Sequence, residues 1–106
     1  MNKFKFNKKT DNLFTAILSL ESAKEAECFF RDLCTAEEIK EMADRFEIAN
    51  LVNNKIPYRT IAIKLKTSTA TVSRVALWLN NGMGGYKSVI RKLHHRNPAK
   101  LRRGLS

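Results

Sequence analysis

A segment of polar and basic side chains between residues 58 and 74 is the part of this 106-residue chain best suited to chemistry. It contains hydroxyl, guanidinium and ammonium groups but neither a carboxylate nor a histidine, so it lacks the acid and base pairs that catalysis uses. These groups donate hydrogen bonds and attract negative charge. The composition of the segment therefore indicates binding to an anionic surface rather than covalent chemistry.

Acidic residues are confined to one part of the sequence. The chain has 20 lysines and arginines against 10 aspartates and glutamates, which gives a formal net charge of +10. All the acidic residues lie from Asp11 to Glu47, and none occurs from Ile48 to Ser106. Solubility requires net charge of either sign, but it does not require the loss of acids over half a chain. The second half is therefore predicted to bind a polyanion.

Catalytic residues are not indicated elsewhere. His94 and His95 are adjacent, and no acid follows Glu47 to orient them. Neither the spacing of metal ligands nor a phosphate-binding glycine loop occurs. Cys34 precedes a predicted helix, but no neighbouring base can be named that would make it a nucleophile. We therefore expect no enzymatic activity, no catalytic residue and no metal site.

The two cysteines and the first apolar segment bear on localisation. Cys28 and Cys34 do not form a disulfide framework, and Cys28 fits a helical pattern as a small core residue. Free thiols are typical of the cytoplasm. The apolar segment 13–20 is too short for a membrane helix and is interrupted by Thr15 and Ser19. We expect a cytoplasmic protein that has no membrane partner.

Apolar residues recur with helical spacing along the chain, so we predict an all-α protein of about six helices. Ser22 with Glu25 and Thr35 with Glu38 have the spacing of capping boxes. The predicted helices span Asp11–Leu20, a second helix after Ser22, a third from Thr35 to about Asn53 and Asn54, a fourth at 57–66, a fifth from Ser68 or Thr69 to about Asn80, and a sixth at 86–95.

The fourth and fifth helices, with a short turn at 66–68, predict a helix-turn-helix at about 57–80. Ala62 lets the two helices approach closely. The predicted contacts join Ile61 and Leu65 to Val72, Val75 and Leu79. Glycine is usual at the turn position occupied by Lys66, so we expect a left-handed backbone there or a reshaped turn.

The outer face of the fifth helix is predicted to read duplex DNA. Its side chains are short, which lets the helix approach base edges and thymine methyls in the major groove. The predicted phosphate contacts are Arg59, Lys64 and Lys66. The predicted DNA contacts at the fifth helix are Ser68, Thr69, Ala70, Thr71, Ser73 and Arg74.

Three segments follow from the charge and the periodicity. They are a basic N-terminal arm at 1–10, a helical domain for DNA binding and dimerisation at 11–95, and a basic flexible tail at 96–106.

The first helix is apolar over most of its circumference, so it must be covered on two sides. A chain of this size has little to cover it with. A second copy of the chain is therefore expected to do so.

Several motifs in combination resemble the Trp repressor superfamily, and more closely its YerC/YecD-type branch. They are Thr35-Ala-Glu-Glu-Ile, Arg45, Ala49-Asn-Leu-Val, Tyr58-Arg-Thr-Ile-Ala and Ser68-Thr-Ala-Thr-Val-Ser-Arg74. The segments 11–20 and 29–35 and Gly84-Gly-Tyr86 are similar to that branch too, so the resemblance covers roughly residues 8–93. It implies an intertwined all-helical homodimer that carries two recognition helices about 34 Å apart. The implied function is a sequence-specific, duplex-DNA-binding transcriptional regulator, and specifically a repressor.

The resemblance also raises a small co-effector, which is L-tryptophan in the Trp repressor itself. Thr35, Arg45 and Arg74 match positions of the family's ligand pocket, where two arginines could hold a carboxylate and stack on an indole. Each residue also has a simpler role: Thr35 as a helix cap, Arg45 in a salt bridge and Arg74 at DNA. The turn at Lys66 and the loop before the fourth helix differ from those of the repressor. Both interpretations stay open at this point.

The alternative functions are an RNA-binding protein and a DNA-binding accessory factor without an effector. Sequence-specific RNA readers usually present exposed aromatic side chains for stacking. The basic half offers only Tyr58, Trp78 and Tyr86 for this purpose, and Trp78 is expected at an interface or in the core. A protein-interaction adaptor is a third interpretation, but it leaves the acid-free half unexplained.

Overall fold

The computed structural model describes residues 4–96, except for the side chain of Arg96, and contains six α-helices and no strand in that range. The helices are α1 (Lys8–Leu18), α2 (Ala23–Leu33), α3 (Ala36–Asn53), α4 (Tyr58–Leu65), α5 (Thr69–Asn81) and α6 (Gly85–Arg96). The all-α prediction is confirmed. None of these helices combines the length and the apolar character that a bilayer crossing needs. Arg96, the first residue of the predicted tail 96–106, is the last residue of α6, and residues 97–106 lie outside the described residues.

The chain divides into two compact units, and the boundary falls between Lys40 and Glu41. The first unit begins with a reciprocal capping box at α1. Asn7 Oδ1 accepts a hydrogen bond from the Thr10 amide at 3.1 Å, and Thr10 Oγ1 accepts one from the Asn7 amide at 2.7 Å. α1 therefore begins at Lys8, before the predicted Asp11, because this cap lets a polar first turn form without an apolar face.

The two predicted capping boxes of the first unit differ from each other. Thr35 and Glu38 form the complete reciprocal pair, at 3.1 and 2.8 Å. Ser22 Oγ accepts from the Glu25 amide at 3.0 Å, but the Glu25 carboxylate accepts from the Glu21 amide at 2.8 Å. The predicted return bond to the Ser22 amide is therefore wrong. The longer glutamate side chain reaches a donor one residue further outside the helix.

Apolar side chains of the first unit face outward. No described residue of this unit is buried, and Phe14, Leu18 and Leu33 are 46%, 86% and 49% exposed. Cys28 is exposed as well, so its predicted place in a core is wrong. The apolar periodicity predicted the helices of this unit correctly, but the apolar residues that form the pattern are not buried within it. A stripe of apolar side chains in water is uncommon on a monomer and typical of an interaction surface.

The hydrophobic core lies in the second unit. It is formed by the last part of α3 together with α4, α5 and α6. The buried apolar residues are Ile48, Ala49, Leu51, Val52, Ile61, Ala62, Val72, Val75, Ala76, Leu79 and Ile90. Burial of one large aliphatic side chain contributes roughly 1.5–3 kcal/mol, so this cluster is the main source of stability in the second unit.

α3 ends in a left-handed turn at Lys55, which has a φ of 65°. The Lys55 amide donates to the Val52 carbonyl at 2.9 Å, and the Ile56 amide donates to the Leu51 carbonyl at 3.1 Å. This pair of bonds is a Schellman motif. The sequence places the turn at Asn53 and Asn54, whereas the left-handed residue is the lysine that follows them.

Two glycines separate α5 from α6. A Cβ at Gly82 would collide with the backbone carbonyl oxygen of Trp78, so only glycine fits where α5 ends. Gly84 has a φ of 87°, a conformation that glycine adopts without steric cost. The chain can therefore turn sharply here and begin α6 at Gly85.

Candidate nucleic-acid interface

α4 and α5 are separated by residues 66–68 alone and pack against each other through the core. Ile61 of α4 and Val72 of α5 have no solvent exposure, and Ala62 is 6% exposed. Leu65 packs against the same cluster at its edge. All the side chains predicted to join these two helices therefore lie in or against one core.

Of the two backbones expected at the turn, a left-handed residue or a reshaped turn, the structure has the left-handed residue. Lys66 has φ 55° and ψ 49°. Its amide donates to the Ile63 carbonyl at 3.3 Å, and the Thr67 amide donates to the Ala62 carbonyl at 2.9 Å. The bonds repeat the Schellman motif that ends α3. The backbone of the turn is thus the usual one, although a lysine occupies the glycine position.

Ser68 begins α5 as its N-cap. Its Oγ accepts from the Thr71 amide at 3.0 Å and lies 3.0 Å from Thr71 Oγ1. Thr71 is half-buried, whereas Ser73 and Arg74, which are predicted to face outward with it, are exposed.

The other predicted DNA-contact residues are exposed. On α4 and in the turn they are Arg59, Lys64 and Lys66, and at α5 they are Ser68, Thr69, Ala70, Ser73 and Arg74. The start of α5 presents small side chains followed by a single long cation. The positive end of a helix dipole also lies there, and it attracts anions. This arrangement can hydrogen-bond to base edges and attract phosphates.

A cleft of about 410 Å³ lies beside α5, on the side that faces α3 and the start of α6. Arg45 of α3 and Arg74 of α5 both line it. The other polar and aromatic residues of its lining are Glu41, Asp44, Thr67, Thr71, Trp78 and Tyr86. We call it the α3–α5 cleft. Two of the three predicted effector residues therefore share one site.

The third predicted effector residue, Thr35, belongs to the first unit, where its side chain caps α3. Sequence reasoning did not assign Trp78 and Tyr86 to a cleft. The spacing of four residues from Arg74 to Trp78 is the signal that could have found Trp78, because such residues share a helix face. Within residues 4–96, no three side chains of histidine, cysteine, aspartate or glutamate come together as a metal site.

Comparison with known proteins identifies the family. Residues 8–94 match the family described as Trp repressor protein. The chain belongs to the Trp repressor family. Among its relatives is the YerC protein of Bacillus subtilis (strain 168), which is 41% identical over 83 residues, or 78% of this chain and 80% of YerC.

Solved structures of other members of the Trp repressor family have the same fold. A TrpR-like protein from Eubacterium eligens ATCC 27750 gives a TM-score of 0.79 at 44% identity, over 82% of this chain and 90% of that one. A structure from Staphylococcus aureus gives a TM-score of 0.78 at 36% identity, over 83% and 88% of the two chains. The predicted resemblance to the YerC-type branch of the Trp repressor family is thereby confirmed.

Proposed function

We propose that the protein is a transcriptional regulator that binds duplex DNA in a sequence-specific way, with α4 and α5 acting as a helix-turn-helix. In this proposal α5 enters the major groove, Arg74 contacts a base edge, and Arg59, Lys64 and Lys66 contact phosphates. The regulator is a repressor, as the family name suggests. The proposal places it in the cytoplasm with the chromosome.

One observation carries this proposal. α5 buries Val72, Val75 and Ala76 on one side and exposes Thr69, Ala70, Ser73 and Arg74 on the other, so its apolar face is used by the core and its polar face is open. The exposed side chains at its start are small, as close approach to base pairs requires. The family match and the lack of acidic residues after Glu47 support the same function.

A homodimer is part of the proposal. The exposed apolar side chains of the first unit require a cover, and a second copy of the chain would supply matching ones. Two copies would present two α5 helices to successive turns of the major groove, and the paired contacts would raise affinity. The chain mass measured by light scattering tests this part, and a monomer at micromolar concentration would contradict it.

Binding to duplexes selected from random sequence tests the role of Arg74. We expect Arg74→Ala to weaken the selected duplex by roughly 5- to 150-fold, the cost of one lost base contact, and to affect an unrelated duplex much less. Arg59→Ala is the matched control, because loss of a phosphate contact should weaken both duplexes alike. Equal losses on both duplexes for Arg74→Ala would reduce Arg74 to a phosphate contact.

The salt dependence of binding tests the electrostatic part. If each subunit neutralises six phosphates, the logarithm of its binding constant should fall against the logarithm of salt concentration with a slope of about −5. Deletion of residues 96–106 should flatten the slope, because we propose that this basic tail also contacts phosphates. An unchanged slope would exclude the tail from the interface.

RNA binding is the alternative function, and the same titration with double-stranded RNA of equal length distinguishes it. The helix-in-groove proposal predicts weaker binding to RNA, because the major groove of A-form RNA is too narrow for a helix. Stronger binding to RNA than to any selected DNA would replace the proposal.

We further propose the α3–α5 cleft as the site of any small co-effector, since it brings Arg45 and Arg74 together beside two aromatic side chains. L-tryptophan is the first probe, measured by calorimetry on the full chain. Heat of binding that Arg45→Ala abolishes would support an effector site. DNA affinity that no amino acid changes would make the protein a regulator or accessory factor that acts without an effector.

A further inference from the structure

A second cleft, of about 460 Å³, lies between the end of α3 and α6. We call it the α3–α6 cleft. Four nitrogen-bearing side chains of α6 line one wall: Lys87, Arg91, His94 and His95. Three asparagines line the other wall: Asn50, Asn53 and Asn54. No acidic residue lines the cleft among the described residues, so its walls favour an anion.

The position of these four side chains on one wall follows from their helical spacing. Lys87, Arg91, His94 and His95 are separated by four, three and one residues, which places them on one face of a helix. Lys92 is exposed on the same helix but does not line the cleft. The structure therefore contains both a cleft-facing cation and a neighbouring cation that faces elsewhere.

Asn50 is the most unusual residue of the cleft. It is only 5% exposed and is the only buried polar residue among those described. Its Oδ1 is buried and accepts no hydrogen bond. Buried side-chain oxygens in folded proteins nearly always have a donor, so Oδ1 of Asn50 calls for a hydrogen-bond donor that the described residues do not supply. Since the terminal torsion of asparagine is broad, a small rotation can turn Oδ1 towards the cleft.

We propose that the α3–α6 cleft binds a small anion that carries a phosphate group. The phosphate oxygens accept hydrogen bonds from the α6 cations and from asparagine amide groups. Oδ1 of Asn50 instead needs a donor, and a phosphate that retains a proton supplies one through its hydroxyl. Sulfate has the same shape and charge but no proton at neutral pH, so it cannot make this last bond.

The ligand would also act on the fold of the second unit. Ile90 lines the cleft and belongs to the core cluster that includes α4 and α5. An anion bound between α3 and α6 would hold α6 against that core. The site is separate from the α3–α5 cleft and from the proposed DNA-contact residues, so the inference does not depend on the proposed function.

The basic residues of α6 have a competing role, because cations near the end of a helix interact favourably with its dipole. α3 ends at Asn53, beside these residues. That role needs no ligand, so it predicts the same stability in phosphate, sulfate and chloride. The proposal predicts a preference for phosphate.

Calorimetry on the full chain at fixed ionic strength tests the proposal, with inorganic phosphate, glycerol phosphate and sulfate as probes. We expect inorganic phosphate, which keeps one proton at neutral pH, to bind at least tenfold more tightly than sulfate. Glycerol phosphate, which is mostly a dianion without a proton there, should bind with an affinity between the two. Arg91→Ala should weaken phosphate binding tenfold or more, while Lys92→Ala, the matched control, should stay within twofold of the unchanged protein. Equal binding of phosphate and sulfate would overturn the proposal, and so would equal losses in the two variants.

Asn50→Leu tests the hydrogen bond from the phosphate hydroxyl. The folded variant should bind phosphate and sulfate equally. If the variant does not fold, the side-chain amide signal of Asn50 in the NMR spectrum of the unchanged protein gives the answer, because phosphate should shift it and sulfate should not. An Asn50 signal that neither anion moves would overturn the assignment.

Duplex DNA is the other source of phosphate groups, and a last arm of the experiment distinguishes it. A small-molecule site predicts that glycerol phosphate binds in the absence of DNA and that Arg91→Ala leaves duplex affinity within about twofold. If glycerol phosphate does not bind and Arg91→Ala weakens duplex binding tenfold, the cleft is part of the DNA interface and the proposal fails.

Discussion

The two units of the chain differ in whether they contain a buried apolar core. Residues 41–96 do: Ile61 and Val72 have no exposed surface, although Ile63 and Met83 of the same unit are 72% and 91% exposed. Residues 4–40 have helices with regular apolar spacing and side-chain caps, yet no described residue among them is buried. Helices therefore form in both units, whereas a buried core is present only in the second of the two described units. The contrast shows that capping and periodicity determine where helices form, and that burial depends on what lies opposite them.

The charges follow the same division. The first unit and the following part of α3 contain every acidic residue, whereas α4, α5 and α6 contain none. The acid-free helices of the second unit present basic side chains that suit an anionic partner. The first unit has no buried residue, so its apolar side chains suit a partner with an apolar surface. The proposed roles, self-association for the first unit and DNA binding for the second, can each be tested by substitution.

The largest effect is expected from the core of the second unit. Ile61→Ala should lower the free energy of unfolding by about 2–5 kcal/mol, because it removes a fully buried side chain and leaves a cavity. Ile63→Ala on the same helix is the matched control: Ile63 is 72% exposed, so the change should stay within about 0.5 kcal/mol. Urea denaturation measures both. Similar losses would show that Ile63 is covered in solution.

The second effect concerns the first unit. Leu18→Lys should convert the dimer to a monomer and weaken binding to a two-site duplex by about 100-fold, because the gain from paired contacts is lost. Leu18 is 86% exposed in the single chain, and Thr15→Lys on the same helix is the control. Light scattering and fluorescence anisotropy measure the two quantities. A dimer that keeps its mass in Leu18→Lys would place the interface elsewhere.

The smallest effect compares the two left-handed lysines. A glycine at either position relieves steric cost, so Lys55→Gly and Lys66→Gly should each raise the free energy of unfolding by about 0.5–1 kcal/mol. Only Lys66→Gly should weaken DNA binding, since Lys66 lies in the proposed interface and Lys55 follows α3. Thermal unfolding and DNA titration of both variants check this. A stability gain at one position alone would show that the two Schellman turns are not equivalent.

The sequence predicted the features that depend on neighbouring residues. These include six helices, the complete box of Thr35 and Glu38, the left-handed turn at Lys66 and the packing of Ile61 on Val72. The early start of α1 was missed because Asn7 and Thr10 cap a polar turn that has no apolar stripe to reveal it. An apolar stripe and a capping pair are both local signals, but only the stripe is visible in a hydrophobic pattern.

Other positions could not be predicted because they depend on residues that are distant along the chain. Cys28 has the spacing of a core residue, but the unit that contains it encloses nothing. The α3–α5 cleft brings Arg45 and Arg74 together across two helices, and the spacing along the chain could not show that Trp78 joins them. Such positions follow from tertiary packing, which periodicity does not encode.

The turn at Lys66 lies between α4 and the surface of α5 that we propose contacts bases. Its left-handed torsion and two backbone hydrogen bonds set the direction of α5, and the buried face of α5 holds that direction. None of these constraints uses the side chains of Thr69, Ala70 or Ser73. In the proposed regulator, those three positions can therefore be exchanged to retarget the protein to new operators while its architecture is retained, which would make it a practical starting point for engineered gene switches.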